Sequence, residues 1–383
     1  MNNFIRNERQ QKIVDRASEI AQAIQPDSSY YDRTGAFPFA NFDQLKQHHY
    51  QTLTIPKTYG GEDLSLYELM LTQETLAQGD ASTALAMGWH LGVMMDLNQR
   101  HEWDESVYRR LCEDVVQNGT IVNRAMTEPK TGNPVRGGLP ATVASKRNNG
   151  WVINGHKTFT TLAPLADTFI VNANIEGTDE IGGFLVQRDQ NGVDVKQTWD
   201  TIGMRATRSD DIYFDHVEVP AEAYVETIDY TKKDRLPAAW LLHIPACYMG
   251  VAIAAKNDAI RFAKEYQPNS LDHPIQDLPH IQDKVARIEM DVLRARTLMY
   301  SVARDWDERP ERHYEMAPEL GAVKYEVTNT AVRVVDTVMR IVGGSGLSKS
   351  LPFEKYYRDV LPGVHNPPND DAVMAMMARR AFS

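Results

Sequence analysis

Apolar side chains at Ile13, Val14, Ala17, Ile20, Ala21 and Ile24 recur at helical spacing and mark one face of a helix. Pro56 to Gly61 reads as a turn. Beyond it Ser65 and Glu68 have capping-box spacing, and Leu66, Leu69, Met70 and Leu76 continue a second helix. A third is predicted from Ala81 to about Gln99. The texture then changes to short runs, Trp151-Val152-Ile153, Phe169-Ile170-Val171 and Phe184-Leu185-Val186, separated by Asn-Gly, Asp and Gly turns, with Val217 to Pro220 as the exit strand. Helical spacing returns at Ile281, Val285, Ile288, Val292, Ala295, Met299 and Val302, and again at Val323, Val327, Thr330, Val334, Val338 and Ile341. Two long stripes of that kind are seams of an antiparallel bundle. The pattern predicts an α+β multidomain chain: a helical domain over 1–118, a β-barrel-like domain over 119–228 and a helical bundle over 229–383.

Composition narrows the function. With 383 residues the chain exceeds one ordinary domain and can bury a large ligand. Its 52 acidic and 41 basic side chains leave a charge of -11, so no nucleic-acid partner is expected. Ala238 to Ala255 is uncharged, near the lower limit of a membrane span, but it is solitary and carries His243 and Pro245. A buried central helix is predicted, with no membrane partner. Cys112 and Cys247 suit a reducing, cytoplasmic setting, and the charged N-terminus lacks the apolar core of a signal peptide. No P-loop, GxGxxG after a strand or HExxH occurs, and Gly343-Gly344-Ser345-Gly346 misses the nucleophile elbow because Leu347 stands where its second Gly belongs. Eleven histidines show no ligand spacing, so no metal is expected.

Four segments carry chemistry. Ala125 to Asn133 sets a hydroxyl and backbone amides beside Pro and Gly turns. Asn154 to Thr161 places Phe159 before Thr160 and Thr161, an aromatic and two hydroxyls suited to a planar heteroaromatic ring. Gly203-Met204-Arg205-Ala206-Thr207 is the third. Arg340 to Gly346 with Tyr357-Arg358-Asp359 is the fourth, a helix end whose glycines admit close approach of a phosphate or sugar. Each also has an ordinary reading as a turn, strand or helix stop.

In this order, with Ile55 to Gly61 and Gly79-Asp80-Ala81-Ser82 before them, the segments resemble the acyl-CoA dehydrogenase flavoprotein family over nearly the whole chain. The resemblance implies a helical domain, a β domain and a four-helix bundle, with FAD between the last two and an acyl-CoA thioester beside its ring. Met126 and Thr127, with Phe159, Thr160 and Thr161, stand where the family meets the flavin ring. Asn133 stands where a Ser usually contacts CoA, followed by Pro134 instead of Asp. Arg340, Gly343 and Gly344 stand where the family approaches the FAD of a neighbouring subunit, which implies a homodimer or homotetramer.

The resemblance has departures. The family's catalytic Glu-Gly-Thr aligns with Pro367-Pro368-Asn369, so the usual base is missing. A few members place the base as Glu before Arg at the start of the bundle; Asp234 and Arg235 match that pair, although farther from Gly250, and make Arg235 a substrate candidate. Asp370 and Asp371 follow the expected position closely and are the other candidate acids, against a reading as helix-start residues. The Arg-x-x-Phe-Gly that grips the pyrophosphate is absent between Tyr266 and His280. Asp277 to Gln282 and His365-Asn366-Pro367 resemble instead the branch that uses reduced flavin, with FMN as co-substrate, as a monooxygenase. There His90 and His365 are catalytic candidates, against core or surface readings. The electron partner is accordingly an electron-transfer flavoprotein or a flavin reductase. A flavin-fold scaffold without catalysis is the third possibility.

Overall fold

Local caps set the first helices. The Asn7 side chain accepts from the Gln10 N–H to start α1 (Glu8–Ile24), and α2 (Ser28–Thr34) and α3 (Phe39–Gln47) turn the chain. The Ser65–Glu68 capping box closes at the start of α4 (Leu66–Leu76), and Asp80 caps α5 (Ala81–Arg100) through the Thr83 N–H. The last helix of this part, α6 (Glu105–Asn118), stops at Gly119, whose φ of 68° is left-handed. The computed structural model describes residues 3–132, 138–230 and 235–382.

The middle part forms one eight-stranded sheet. Its strands are β1 (Val122–Ala125), β2 (Val143–Arg147), β3 (Gly150–Thr160), β4 (Thr168–Ile175), β5 (Ile181–Gln187), β6 (Val193–Lys196), β7 (Asp210–Pro220) and β8 (Tyr224–Ile228). They run in the order β6-β7-β3-β2-β4-β5-β8, with β1 parallel to β4. The antiparallel β3–β7 ladder changes register between Ile153 and Gly155 and again between Lys157 and Thr160. That second irregularity falls inside the Phe159-Thr160-Thr161 segment and sets which way each of its side chains points.

Five helices follow: α7 (His243–Glu265), α8 (Pro279–Glu308), α9 (Ala317–Val342), α10 (Phe353–Val360) and α11 (Asp370–Phe382). The apolar run Ala238 to Ala255 lies in α7 and the turn before it and is mostly buried, as a central helix must be. It packs on α4, α5, α8 and α9. Gly250 lets it lie against α4, because a Cβ there would collide with the Glu74 carbonyl. The predicted stripes of α8 and α9 are buried, apart from the partly buried Val285, and one apolar core runs through all three parts.

Candidate functional site

The two β-domain segments meet directly. Thr127 follows β1, and its carbonyl accepts from the Thr158 N–H on β3 at 2.9 Å. At the register change Phe159 takes a left-handed φ of 54°, a conformation that costs a non-glycine residue roughly 1–2 kcal/mol. The result is an aromatic ring 63% exposed, with Trp199 edge-on at 5.8 Å between centroids. Thr160 turns inward, and its buried hydroxyl has no partner among the described residues. Thr161 is buried at the head of a hydroxyl line: its oxygen is 2.8 Å from that of Ser209, which is 3.1 Å from that of Thr207. Thr207 donates to the Met204 carbonyl, so Ser209 donates to Thr207 and Thr161 to Ser209. The Thr161 oxygen can therefore accept from a ring N–H.

Behind this face Lys157 and Glu128 form a buried ion pair at 2.6 Å. Glu128 also accepts from the N–H groups of Ala141 and Thr142 at 2.6 and 3.0 Å, which ties the loop after Met126 to β2. Burial pushes Lys157 down to about 8 against the pull of Glu128. Burial pushes Glu128 up, but Lys157 and the Thr142 contacts outweigh it and leave the carboxyl below its ordinary range. The sequence signal for this pair was a lysine at an inward β3 position two residues beyond Gly155; its partner lies 29 residues away. An exposed aromatic face, an unpartnered buried hydroxyl and a hydroxyl line fit the ring of a flavin.

The third and fourth segments also meet. Met204 N–H donates to Asp359, and a Cβ at Gly203 would collide with the Arg358 carbonyl. Arg358 reaches both Asp32 oxygens at 3.0 and 2.6 Å and the Ile202 carbonyl at 2.8 Å, so this junction joins all three parts of the chain. Arg340 is exposed and pairs with Asp336 at 2.9 Å; a Cβ at Gly343 or Gly344 beyond it would meet open space. These three face outward from the end of α9.

The acid and histidine candidates disperse. His90 is fully buried, its Nδ1 accepting from the Val122 N–H at 3.0 Å and its Nε2 facing the Gln51 carbonyl at 3.0 Å. With both nitrogens committed to backbone, it joins α5 to β1 and has none left for a flavin-oxygen adduct. His365 is exposed beyond α10, while the neighbouring Asn366 accepts from the Tyr248 hydroxyl. Asn369 caps α11 through the Ala372 N–H, which makes Asp370 and Asp371 its first-turn acids. Asp370 accepts from Lys324 at 3.2 Å and Asn329 at 3.0 Å; Asp371 is exposed. Arg235 is exposed, its guanidinium 4.8 Å from the Tyr230 ring centre. Asn133 and Asp234 lie outside the described residues.

Three domain models match in chain order: the acyl-CoA dehydrogenase N-terminal domain over residues 7–103, the middle domain over 123–217 and the C-terminal domain over 242–363. Over 382 residues, spanning both chains completely, the sequence is 43% identical to YdbM of Bacillus subtilis (strain 168), provisionally named an acyl-CoA dehydrogenase. It is 28% identical to L-evernosamine nitrososynthase of Micromonospora sp., over 92% of this chain and 85% of that one. Among solved structures, KijD3 in complex with FMN and a dTDP-amino-keto sugar is 25% identical with a TM-score of 0.85, over 98% of this chain and 94% of that one. A relative of 43% identity matched from end to end, on top of three domain models in the order of the fold, places this chain in the acyl-CoA dehydrogenase family of flavin enzymes.

Proposed function

We propose that the chain is an FAD-dependent oxidoreductase of the acyl-CoA dehydrogenase type, removing hydrogen from Cα and Cβ of an acyl-CoA thioester. The observation that carries this reading is the Thr127–Thr158 junction, which joins the two β-domain segments where Phe159 is exposed and Thr160 and Thr161, next in sequence, are buried. Bound FAD supplies the hydride acceptor. Met126 and Phe159 hold its ring, and Thr127, Thr160 and Thr161 take its polar edge. The α-proton passes to a carboxylate of this chain, a positioned base being worth about 100- to 10,000-fold. Asp370 is held by Lys324 and Asn329, and Asp371 is an exposed residue in the first turn of α11, so Asp234 is the acceptor in this reading, with Arg235 and Asn133 as substrate contacts. Arg340, Gly343 and Gly344 face outward to reach a neighbour's FAD in a homodimer or homotetramer, and an electron-transfer flavoprotein takes the electrons.

Pro367 at the usual Glu position, with the likeness to a nitrososynthase and to the FMN-bound KijD3, favours a second reading: a monooxygenase using reduced flavin from a flavin reductase. The test is the visible spectrum of the purified protein followed by anaerobic mixing with acyl-CoAs. A yellow protein bleached by an acyl-CoA supports the dehydrogenase. A colourless protein that binds supplied reduced FMN and consumes oxygen supports the second reading, and one that binds no flavin rejects both.

A further inference from the structure

On the bundle side, α5 packs against the start of α7 through two glycines. A Cβ at Gly92 would collide with the Trp240 ring, and one at Gly88 with the His243 ring. The same point at Gly88 is 3.1 Å from Oε1 of Gln73 on α4, so Gln73 and His243 converge on one bare stretch of α5 backbone. Both side chains are fully buried. The His243 Nδ1–H donates to the Trp240 carbonyl at 2.9 Å, which makes its Nε2 an acceptor. That Nε2 has no partner among the described residues, and neither have Oε1 and Nε2 of Gln73.

Buried polar atoms left unpartnered are costly and uncommon, and here three belong to two side chains packed on the same Gly88 backbone. Their chemistry selects the occupant. Burial pushes His243 down to about 4, so the ring is neutral near pH 7 and offers no charge to an anion. It needs a donor, while the Gln73 amide offers both a donor and an acceptor. A hydroxyl satisfies both residues, giving its hydrogen to His243 and accepting from Gln73. A carboxylate has no hydrogen to give, and an alkyl end satisfies neither residue.

The pair is close to the surface at one point. From Ala81 to Leu97, Trp89 is the one residue of α5 that is not buried. Its ring stands edge-on to His243 at 5.2 Å and to Trp240 at 5.6 Å. The next residue, His90, ties α5 to Val122, the start of the strand that runs into Met126 and Thr127. Trp89 thus stands where α5 comes nearest the surface beside His243, and the path proposed for a chain end runs past it.

We propose that Gln73 and His243 bind a hydroxyl group on the acyl chain of the substrate, so that the site prefers hydroxylated to plain acyl chains. This rests on the acyl-thioester reading above. The test is calorimetric binding of matched pairs to the flavin-loaded protein: butyryl-, hexanoyl- and octanoyl-CoA against their terminally hydroxylated counterparts. At one chain length the hydroxylated member should bind about tenfold tighter, one well-made buried hydrogen-bond pair. His243→Leu and Gln73→Met should erase that preference and leave binding of the plain chain unchanged or tighter. Equal affinity within all three pairs in the unmodified protein would overturn the proposal and assign the place to a resident water; that comparison stands even if a variant does not fold. Binding with the preference but without flavin bleaching would reject the dehydrogenase reading alone. Bleaching without any preference would reject this inference alone.

Discussion

The backbone N–H of Met204 donates to the buried Asp359 carboxylate at 2.7 Å, joining the β domain to the bundle across 155 residues of sequence. The other carboxylate oxygen takes Lys355 at 2.7 Å. Asp359→Ala would strand a buried ammonium and a buried N–H together. Removing one partner of a buried pair costs about 3–5 kcal/mol; Asp80, 3.7 Å from Lys355, offsets part of it. Urea unfolding should show a loss of about 3 kcal/mol. A loss under 1 kcal/mol would mean the junction is not what holds the two parts in place.

Retention of flavin should depend on the hydroxyl line. Thr127→Ala and Thr161→Ala should each weaken binding by about 1 kcal/mol, roughly fivefold, the value of one neutral hydrogen bond. Ser209→Ala should have a smaller effect, because Ser209 contacts Thr161 and is one step removed from the ring. Titration of apoprotein with FAD, followed by flavin fluorescence, reads all three. Wild-type affinity in Thr161→Ala would remove the basis for placing the ring there.

The parts legible in the sequence were those written in local pattern. The cap at Ser65 and the stripes of α8 and α9 each follow from residues a few positions apart. The direction of Phe159 against Thr160 was not legible, because it depends on a register change against β7, some fifty residues on. Lys157 with Glu128, and Gln73 with His243, escaped for the same reason. A single buried polar residue on an apolar face does not announce a partner that only the tertiary fold brings near. His243 stood in the sequence only as an interruption of an apolar run. Its neighbours Gln73 and Gly88 come from two other helices.

Acid should destabilise the fold through His90. Burial pushes its ring down to about 4, from an ordinary value of 6.5. Between these values the unfolded chain holds a proton that the folded one does not, so stability is full above pH 6.5 and is lost as pH falls toward 4. The displacement corresponds to about 3 kcal/mol. His90→Gln keeps an acceptor for the Val122 N–H and a donor for the Gln51 carbonyl but cannot titrate. Urea unfolding between pH 7 and 4 should show an acid loss about 3 kcal/mol smaller in this variant. Identical pH profiles would show that the ring takes up its proton without unfolding.

In the proposed reading Arg340, Gly343 and Gly344, which face outward, reach a neighbour's FAD. Light scattering of the flavin-loaded protein should give a dimer or tetramer, and Arg340→Glu should speed flavin loss without lowering the unfolding midpoint, since Arg340 is exposed. A flavin-loaded monomer would take these three residues out of cofactor binding.

The base is the sharpest point, because Pro367 carries no proton acceptor. Asp370 is engaged: Lys324, almost fully buried, donates to its carboxylate and to the Val364 carbonyl at 3.0 Å. Asp370→Asn should therefore lower stability, by about 1–3 kcal/mol for a weakened, half-exposed contact to a buried ammonium, and leave flavin bleaching intact. Asp371→Asn, on the exposed side of the helix start, should change neither. Asp234→Asn should slow anaerobic bleaching by about 100- to 10,000-fold while flavin binding stays normal. If Asp234→Asn bleaches at the wild-type rate and Asp370→Asn does not bleach, proton abstraction belongs to the start of α11, and Lys324 then acts on the acid that accepts the proton. If no acyl-CoA bleaches the unmodified protein while it binds supplied reduced FMN and consumes oxygen, none of these acids is a base and the oxygen-using reading takes the place of the dehydrogenase.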